Sequence, residues 1–447
     1  MSYFDAHPLG RGMIRLIHVL PRNCEAESMG KTNRSSGRPE QPQITCTIDK
    51  VSLNDRPNYT ALSYTWGDAS RSQQIIINDA VVPVTESVET ALRHLQRDTE
   101  VLTLWVDQLC INQNNYLERN EQVQQMNAIY SKAAQVLVWL GPAADDSDHV
   151  MDLLEWLGRE AYNFGVMQLN MSDYMSLYDP KADERLLSIK TSIHELVQKV
   201  GSSFPVNSYR SLVEREWWLR VWVVQEISLA PDVIFACGKK RLPYQHFIAA
   251  DAFFTLYVLG MVNSLSLGDI LDNPRIKPLL EAPISSAASS MLSTRRKYQG
   301  EIDGNRHDYS LYRLLIKSHV IASTGYRLKA TDPRDKIFGL LGLANDAKSL
   351  NISINYDNPC CKVYADAARR LIQTGNIDIL ALCQYPKILI DLPSWAPDWS
   401  ALIRPPCGDC SRLGNPEESF SASAQLSAKL SVPDNLEISQ MGLRRLG

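Results

Sequence analysis

"LWVDQLCINQNNYLERNEQVQQM", Leu104 to Met126, passes in one step from an apolar strand to a charged helix. Leu104, Trp105 and Val106 are apolar, and Asp107 and Cys110 follow. Then comes an amide row, Asn112-Gln113-Asn114-Asn115, and Glu118 and Arg119 open the helix. A strand that feeds straight into a helix is the repeating unit of a parallel sheet, whose ligands sit beyond the carboxyl ends of the strands. A plain connection needs fewer polar groups than this one carries. Either the loop is tied down by its own hydrogen bonds, or it grips a ligand.

Outward from this stretch the same alternation recurs. Strands are expected at 59–66 ("YTALSYTW"), 101–107, 135–141 ("QVLVWLG") and 232–238 ("DVIFACG"), with a short one at 13–20. Between them, Val88, Ala91, Leu92 and Leu95 recur at helical spacing within 82–96, and Thr85 suits the N-cap. Val123, Met126, Ile129, Tyr130 and Ala133 share one face of the helix after the amide loop. Further helices are expected at 148–158 and at 215–230, the latter ended by Pro231, with helical insertions over 160–210. Strands apolar on both sides, alternating with helices, predict an α/β fold with a parallel sheet covered by helices on both faces.

From about 241 the pattern turns mostly helical. It includes a Ser/Ala-rich segment at 284–294 and an apolar helix after Asp332-Pro333, and 392–400 reads as strand-like or irregular. The expected division is an α/β domain over 10–240, a mostly helical domain over 241–400, and a polar, poorly ordered tail over 401–447. Residues 27–42 read as a flexible surface excursion.

The 447 residues are 45% hydrophobic and 21% charged with net charge −4, which favours neither nucleic acid nor an anionic membrane as partner. No apolar run approaches the ~18 residues that span a bilayer, and the N-terminal apolar run is too short and interrupted for a signal peptide. Nine scattered cysteines read as free thiols of a reducing, cytoplasmic setting. Cys407 and Cys410 form one CxxC, without the second pair that a zinc site needs.

Phosphate-loop, dinucleotide, HExxH and nucleophile-elbow motifs are all absent. Cys110 has no neighbouring histidine to activate it. What remains is a set of polar residues at strand ends and one carboxylate in an unusual setting. Glu226 follows Trp222 by four residues, so both share a helix face; an indole desolvates a carboxylate and raises its pKa, which suits functional work, but on the residues alone an exposed acid beside a packing tryptophan is the favoured reading. Asp107 either caps a turn or orients ligand hydroxyls. Asn112 and Gln113 either bond to a ligand or hold their own loop. Arg220 either takes a phosphate or pairs with Glu216. Trp66-Gly67-Asp68 is either a stacking platform or a core tryptophan followed by a turn.

Three blocks, "YTALSYTWGD", "LWVDQLCINQNNYLERNEQVQQMNAIYSKAAQVLVWLG" and "REWWLRVWVVQEISLA", resemble the signature blocks of the fungal heterokaryon incompatibility (HET) domain. "ATDPRDKIFGLLGLA" and "LPSWAPDWS" resemble segments that commonly follow it, and family members often continue further. The resemblance implies nonself recognition in fungi, with growth arrest or cell death when incompatible hyphae fuse. It also implies a flavodoxin/TIR-like fold, since HET domains have been likened to TIR domains, some of which cleave NAD with a glutamate in a WxxxE-like helix. Trp222 to Glu226 has that spacing, so the resemblance makes Glu226 the catalytic candidate and NAD a substrate rather than a tightly bound cofactor. Trp66 or Trp222 would stack on a flat ring, and the amide loop would bond its polar periphery. Implied partners are further copies of the chain or other incompatibility proteins, and the competing expectations are a signalling or adaptor module without catalysis, acting through self-association, or an accessory protein of another pathway.

Overall fold

The computed structural model describes residues 3–23, 43–177, 183–200, 204–264, 287–300, 309–320 and 327–404. The excursion at 27–42, the Cys407/Cys410 pair, the first residues of the Ser/Ala-rich segment and the tail beyond 404 lie outside them. The chain divides into two compact units. One holds Met1–Trp218 and Glu226–Arg306, the other Leu219–Gln225 and His307–Gly447.

The first unit is built on a nine-stranded sheet in the order β5-β4-β2-β1-β6-β3-β7-β8-β9. At its centre β6 (Leu102–Trp105), β3 (Thr60–Tyr64), β7 (Gln135–Trp139) and β8 (Val233–Cys237) run parallel. These are the four strands expected from the apolar runs, trimmed at their ends. In chain order the quartet runs second, first, third, fourth, so the winding reverses between β3 and β7. Helices cover both sides of it. Side chains of Ser63, Val138 and Phe235 are in register and so point to one face. There Phe235 packs on Trp217, Trp218 and Phe247. Trp105, level with Ala61, meets Tyr130 of the helix Met126–Lys132 on that same side. On the opposite face Trp139, level with Tyr64, meets His94 of the helix Glu86–Leu95, which Thr85 caps as expected.

The expected parallel sheet is present at the centre, and the expectation is corrected toward the edges, where antiparallel pairs make the sheet as a whole mixed. β1 (Met13–Val19) is antiparallel to both its neighbours, and β2 (Thr45–Ser52), β4 (Gln73–Ile77), β5 (Ala80–Val84) and β9 (Lys240–Pro243) extend the two edges. Of these, β1 is the strand expected at 13–20, whereas β2, β4, β5 and β9 are only part-buried and lack the continuous apolar run that marks a central strand. A tight turn joins β4 and β5. Asn78 and Asp79 both take positive φ, the two-residue hairpin turn that Asn and Asp tolerate. Pro83 sits in the edge strand β5, where a missing N–H costs nothing.

The expected helix over 215–230 is also corrected. It is a 3-10 turn, Glu216–Leu219, a break, and then the helix Trp222–Leu229. The break is where Arg220 bridges Lys329 and the Val221 amide donates to the Lys329 carbonyl at 3.0 Å. A pairing remote in sequence thus overrides a helical pattern. Likewise the helix after the amide loop is two pieces, Tyr116–Gln124 and Met126–Lys132.

The second unit is mostly helical. Arg334 organises it, pairing bidentately with Asp332 and donating to the carbonyls of Tyr356 and Asn358, while Tyr356 donates to Asp335 at 2.6 Å. The helix Asp335–Leu341 buries Ile337, Phe338 and Leu340. Of the two expectations for 392–400, strand-like or irregular, the structure shows the irregular one: buried Asp398 holds the stretch by accepting the amides of Ile388, Leu389 and Ser400. Six cysteines among the described residues are free thiols, and no helix there is long and apolar enough to cross a membrane.

Candidate functional site

The site is built around the C-terminal end of β3, whose successive residues serve opposite faces. Ser63 is a polar residue between Leu62 and Tyr64 of β3, and it is buried. Its hydroxyl donates to the Glu226 carboxylate and accepts the indole N–H of Trp217 at 2.9 Å. Glu226 itself is 3% exposed, so the choice between an open-water acid and a buried one is settled for burial. Its carboxylate is held by a directed bond from a strand residue whose own rotor is pinned by an indole. Such a constraint fixes the carboxyl group in position with little reorganisation.

Asp107 meets the same strand end from the other side. Tyr64 donates its hydroxyl to Oδ1 at 2.9 Å, and Trp66 its indole N–H to Oδ2 at 2.7 Å. The amide of Gln108 adds a third bond at 2.7 Å. Tyr64 follows Ser63, and adjacent strand residues point oppositely. Glu226 and Asp107 therefore reach β3 from opposite faces rather than facing one another. Asp107→Asn would keep an oxygen for Tyr64 but turn its amide N–H₂ toward the Trp66 N–H, leaving donor against donor. Unfolding of this variant is expected at about 1–3 kcal/mol lower stability, with an altered indole emission; unchanged stability would mean that the Trp66 bond carries nothing.

The amide loop is tied down internally. Asn115 caps the helix Tyr116–Gln124, accepting from Leu117 and Glu118 amides. Asn112 accepts the Asn114 amide at 3.2 Å, and Gln113 donates to the Asp107 carbonyl at 3.1 Å. Behind the loop lies a residue that the motif reading passed over. Arg15 of β1 is fully buried, and donates to Glu118 at 2.6 and 3.1 Å and to the carbonyls of Cys110 and His7. Glu118 in turn accepts the Asn112 amide at 2.7 Å. An arginine inside an apolar strand was the available signal, as was a lone serine in β3; neither names its partner.

The other candidates are dispersed. Asp68 is exposed and forms a turn with Ser70, whose amide and hydroxyl hold the carboxyl below its usual range. Gly67 takes φ +65° at the strand exit, a conformation that suits glycine. Trp222 and Arg220 belong to the second unit: Trp222 packs at Gly339, and Arg220 forms the bridge to Lys329. Burial pushes the Cys110 thiol up to about 12, which leaves it protonated. No group of three or more His, Cys, Asp and Glu among the described residues is arranged to hold a metal.

A mixed α/β sheet with these ties spans the region that carries the family signature. Residues 59–226, from the residue before β3 to Glu226 itself, match the family described as "Heterokaryon incompatibility protein (HET)". The chain is a HET-domain protein. Over 428 residues it is 31% identical to "Heterokaryon incompatibility protein 6, OR allele" of Neurospora crassa, a match covering 87% of this chain and 58% of that relative. The chain thus spans somewhat more than half the length of the curated relative it matches. No solved structure matches it.

Proposed function

We propose that this chain is a fungal incompatibility protein, a cytoplasmic effector of nonself recognition. On this reading its HET domain triggers growth arrest or cell death by cleaving NAD. Glu226 is the carboxylate that serves the reaction. The observation that carries this reading is the setting of Glu226: buried, bonded to Ser63, and held where the winding of the parallel quartet reverses. Crevices at such reversals are where open α/β sheets bind ligands. The strand order of the quartet is also that of flavodoxin-like sheets, which supports the kinship with TIR domains.

In the proposed reaction the bond between nicotinamide nitrogen and ribose carbon breaks, and its electron pair leaves with nicotinamide. Glu226 stabilises the cationic sugar, as carboxylates do in glycoside hydrolysis. Water then adds to that carbon and loses a proton, giving ADP-ribose. NAD is the substrate and no tightly held cofactor is needed. Assembly with further copies or with other incompatibility proteins is the proposed trigger.

The test is nicotinamide release from NAD by the purified full chain. Glu226→Gln should lower turnover by about 10²–10³-fold while leaving the unfolding transition near that of the parent. Parent protein that releases no nicotinamide would overturn the catalytic reading. A second reading is a non-catalytic module acting through self-association. The Ser63 and Trp217 bonds favour it too, since the same contacts hold a purely structural acid. Fungal cells killed equally by the parent and by Glu226→Gln would decide for it.

A further inference from the structure

The helix Trp222–Leu229, which carries Glu226, is eight residues long. In a longer helix the Ile227 carbonyl would accept the N–H of residue 231, but that residue is Pro231 and has none. The carbonyls at this helix end therefore need donors from elsewhere, and one later helix supplies them. Arg295, in the last turn of the helix Ala287–Tyr298, donates from Nη1 to the carbonyls of Ile227 and Ala230, both at 2.6 Å, and from Nη2 to that of Pro231 at 3.3 Å. Gln299 lies one turn on, its amide bonded to the Arg295 carbonyl. Its side chain donates to the carbonyls of Ser228 at 2.7 Å and Ala230 at 3.3 Å. All of these residues belong to the first unit.

Arg295 is buried, and its guanidinium lies over the Tyr244 ring, 4.7 Å from the centroid. Tyr244 is itself fixed, donating its hydroxyl to the Leu292 carbonyl at 3.0 Å. A planar fork held on a ring face has a set orientation, and that orientation dictates where its three carbonyls stand. A cation there also suits the negative pole at the end of a helix. Ile227 is the residue after Glu226, so the glutamate is held from two sides. Ser63 holds its carboxylate, and Arg295 holds the backbone that carries it.

We propose that Arg295 is a positioning residue for Glu226. It fixes the end of the helix so that the carboxylate meets Ser63 and stays aimed at the reacting sugar. The aim at a sugar rests on the function proposed above; the link from Arg295 to the carboxylate does not.

The test is Arg295→Met in the full chain, a side chain of similar length without donors, followed by two readouts. The first is ¹H–¹⁵N NMR of the labelled tryptophan indoles. Trp217 donates to the same Ser63 hydroxyl that bonds Glu226, so its N–H senses that bond, whereas Trp66, bonded to Asp107 on the opposite face, is the control. The Trp217 resonance should move in the direction in which Glu226→Gln moves it, while that of Trp66 stays. The second is nicotinamide release, where kcat should fall about 10²-fold, the cost of a misplacement of about 1 Å, with KM unchanged. A Trp217 resonance that keeps the parent's position would overturn the inference, as would equal movement of both resonances, the mark of a general loosening. Release by the parent with kcat retained in Arg295→Met ends the positioning role alone. A parent that releases no nicotinamide ends the catalytic reading of Glu226, and the Trp217 resonance then decides the positioning role by itself. Should Arg295→Met fail to fold, Arg295→Lys, which keeps the charge but not the fork, is read in the same way with smaller changes expected.

Discussion

Glu118→Ala is expected to destabilise the first unit by about 3–5 kcal/mol, the cost of stranding a buried charge. Arg15 is 0% exposed and Glu118 is its only carboxylate partner among the described residues. Removing that partner leaves a guanidinium in the interior with only the His7 and Cys110 carbonyls to accept its protons. It also strips the Asn112 amide of its acceptor. Glu118→Gln keeps an oxygen for both donors but loses the charge, so its loss should be smaller. Replacing both residues with apolar side chains of similar size should recover much of the stability, because a buried pair stabilises little once its desolvation is counted. Urea unfolding followed by tryptophan emission measures all three. A loss below about 1 kcal/mol for Glu118→Ala would show that this pair behaves as a surface ion pair and that the loop is not anchored through it.

Gly158→Ala should cost about 3 kcal/mol despite placing a better helix former in the middle of the helix Ser147–Asn163. A methyl group there would stand 1.9 Å from the carbonyl oxygen of His246 and 2.5 Å from its carbonyl carbon. The obstacle is backbone of the helix Tyr244–Ser264, which cannot rotate away as a side chain would. The intrinsic helix preference for alanine over glycine, about 1 kcal/mol, is too small to offset moving one helix from the other. A melting temperature equal to or above the parent's would mean that the two helices are not in this close contact.

Much of the fold was legible in the apolar runs. All four parallel strands occur where the sequence places them, because a strand buried on both faces must be apolar throughout. The helix Glu86–Leu95 likewise follows from its stripe and its threonine cap. The edge strands were not legible, since a strand with one wet face resembles any short amphipathic segment. Nor was the break at Arg220–Val221, which exists because a residue over a hundred positions away supplies a carbonyl. The candidate site divides in the same way. Glu226 could be singled out from its neighbour Trp222, but Ser63, which donates to its carboxylate, is 163 residues distant.

The sequence by itself determined the four central strands, the helix Glu86–Leu95 and the polar residues at the ends of the central strands. These follow from side-chain periodicity and local hydrogen bonding, interactions that act over a few residues. Only the tertiary structure decided that Glu226 and Asp107 approach one strand from opposite faces. It alone showed that Arg15 anchors the amide loop and that antiparallel pairs toward the edges make the sheet mixed. Those outcomes depend on strand pairing and on the satisfaction of buried charges, which join residues remote in the chain and leave no period to read.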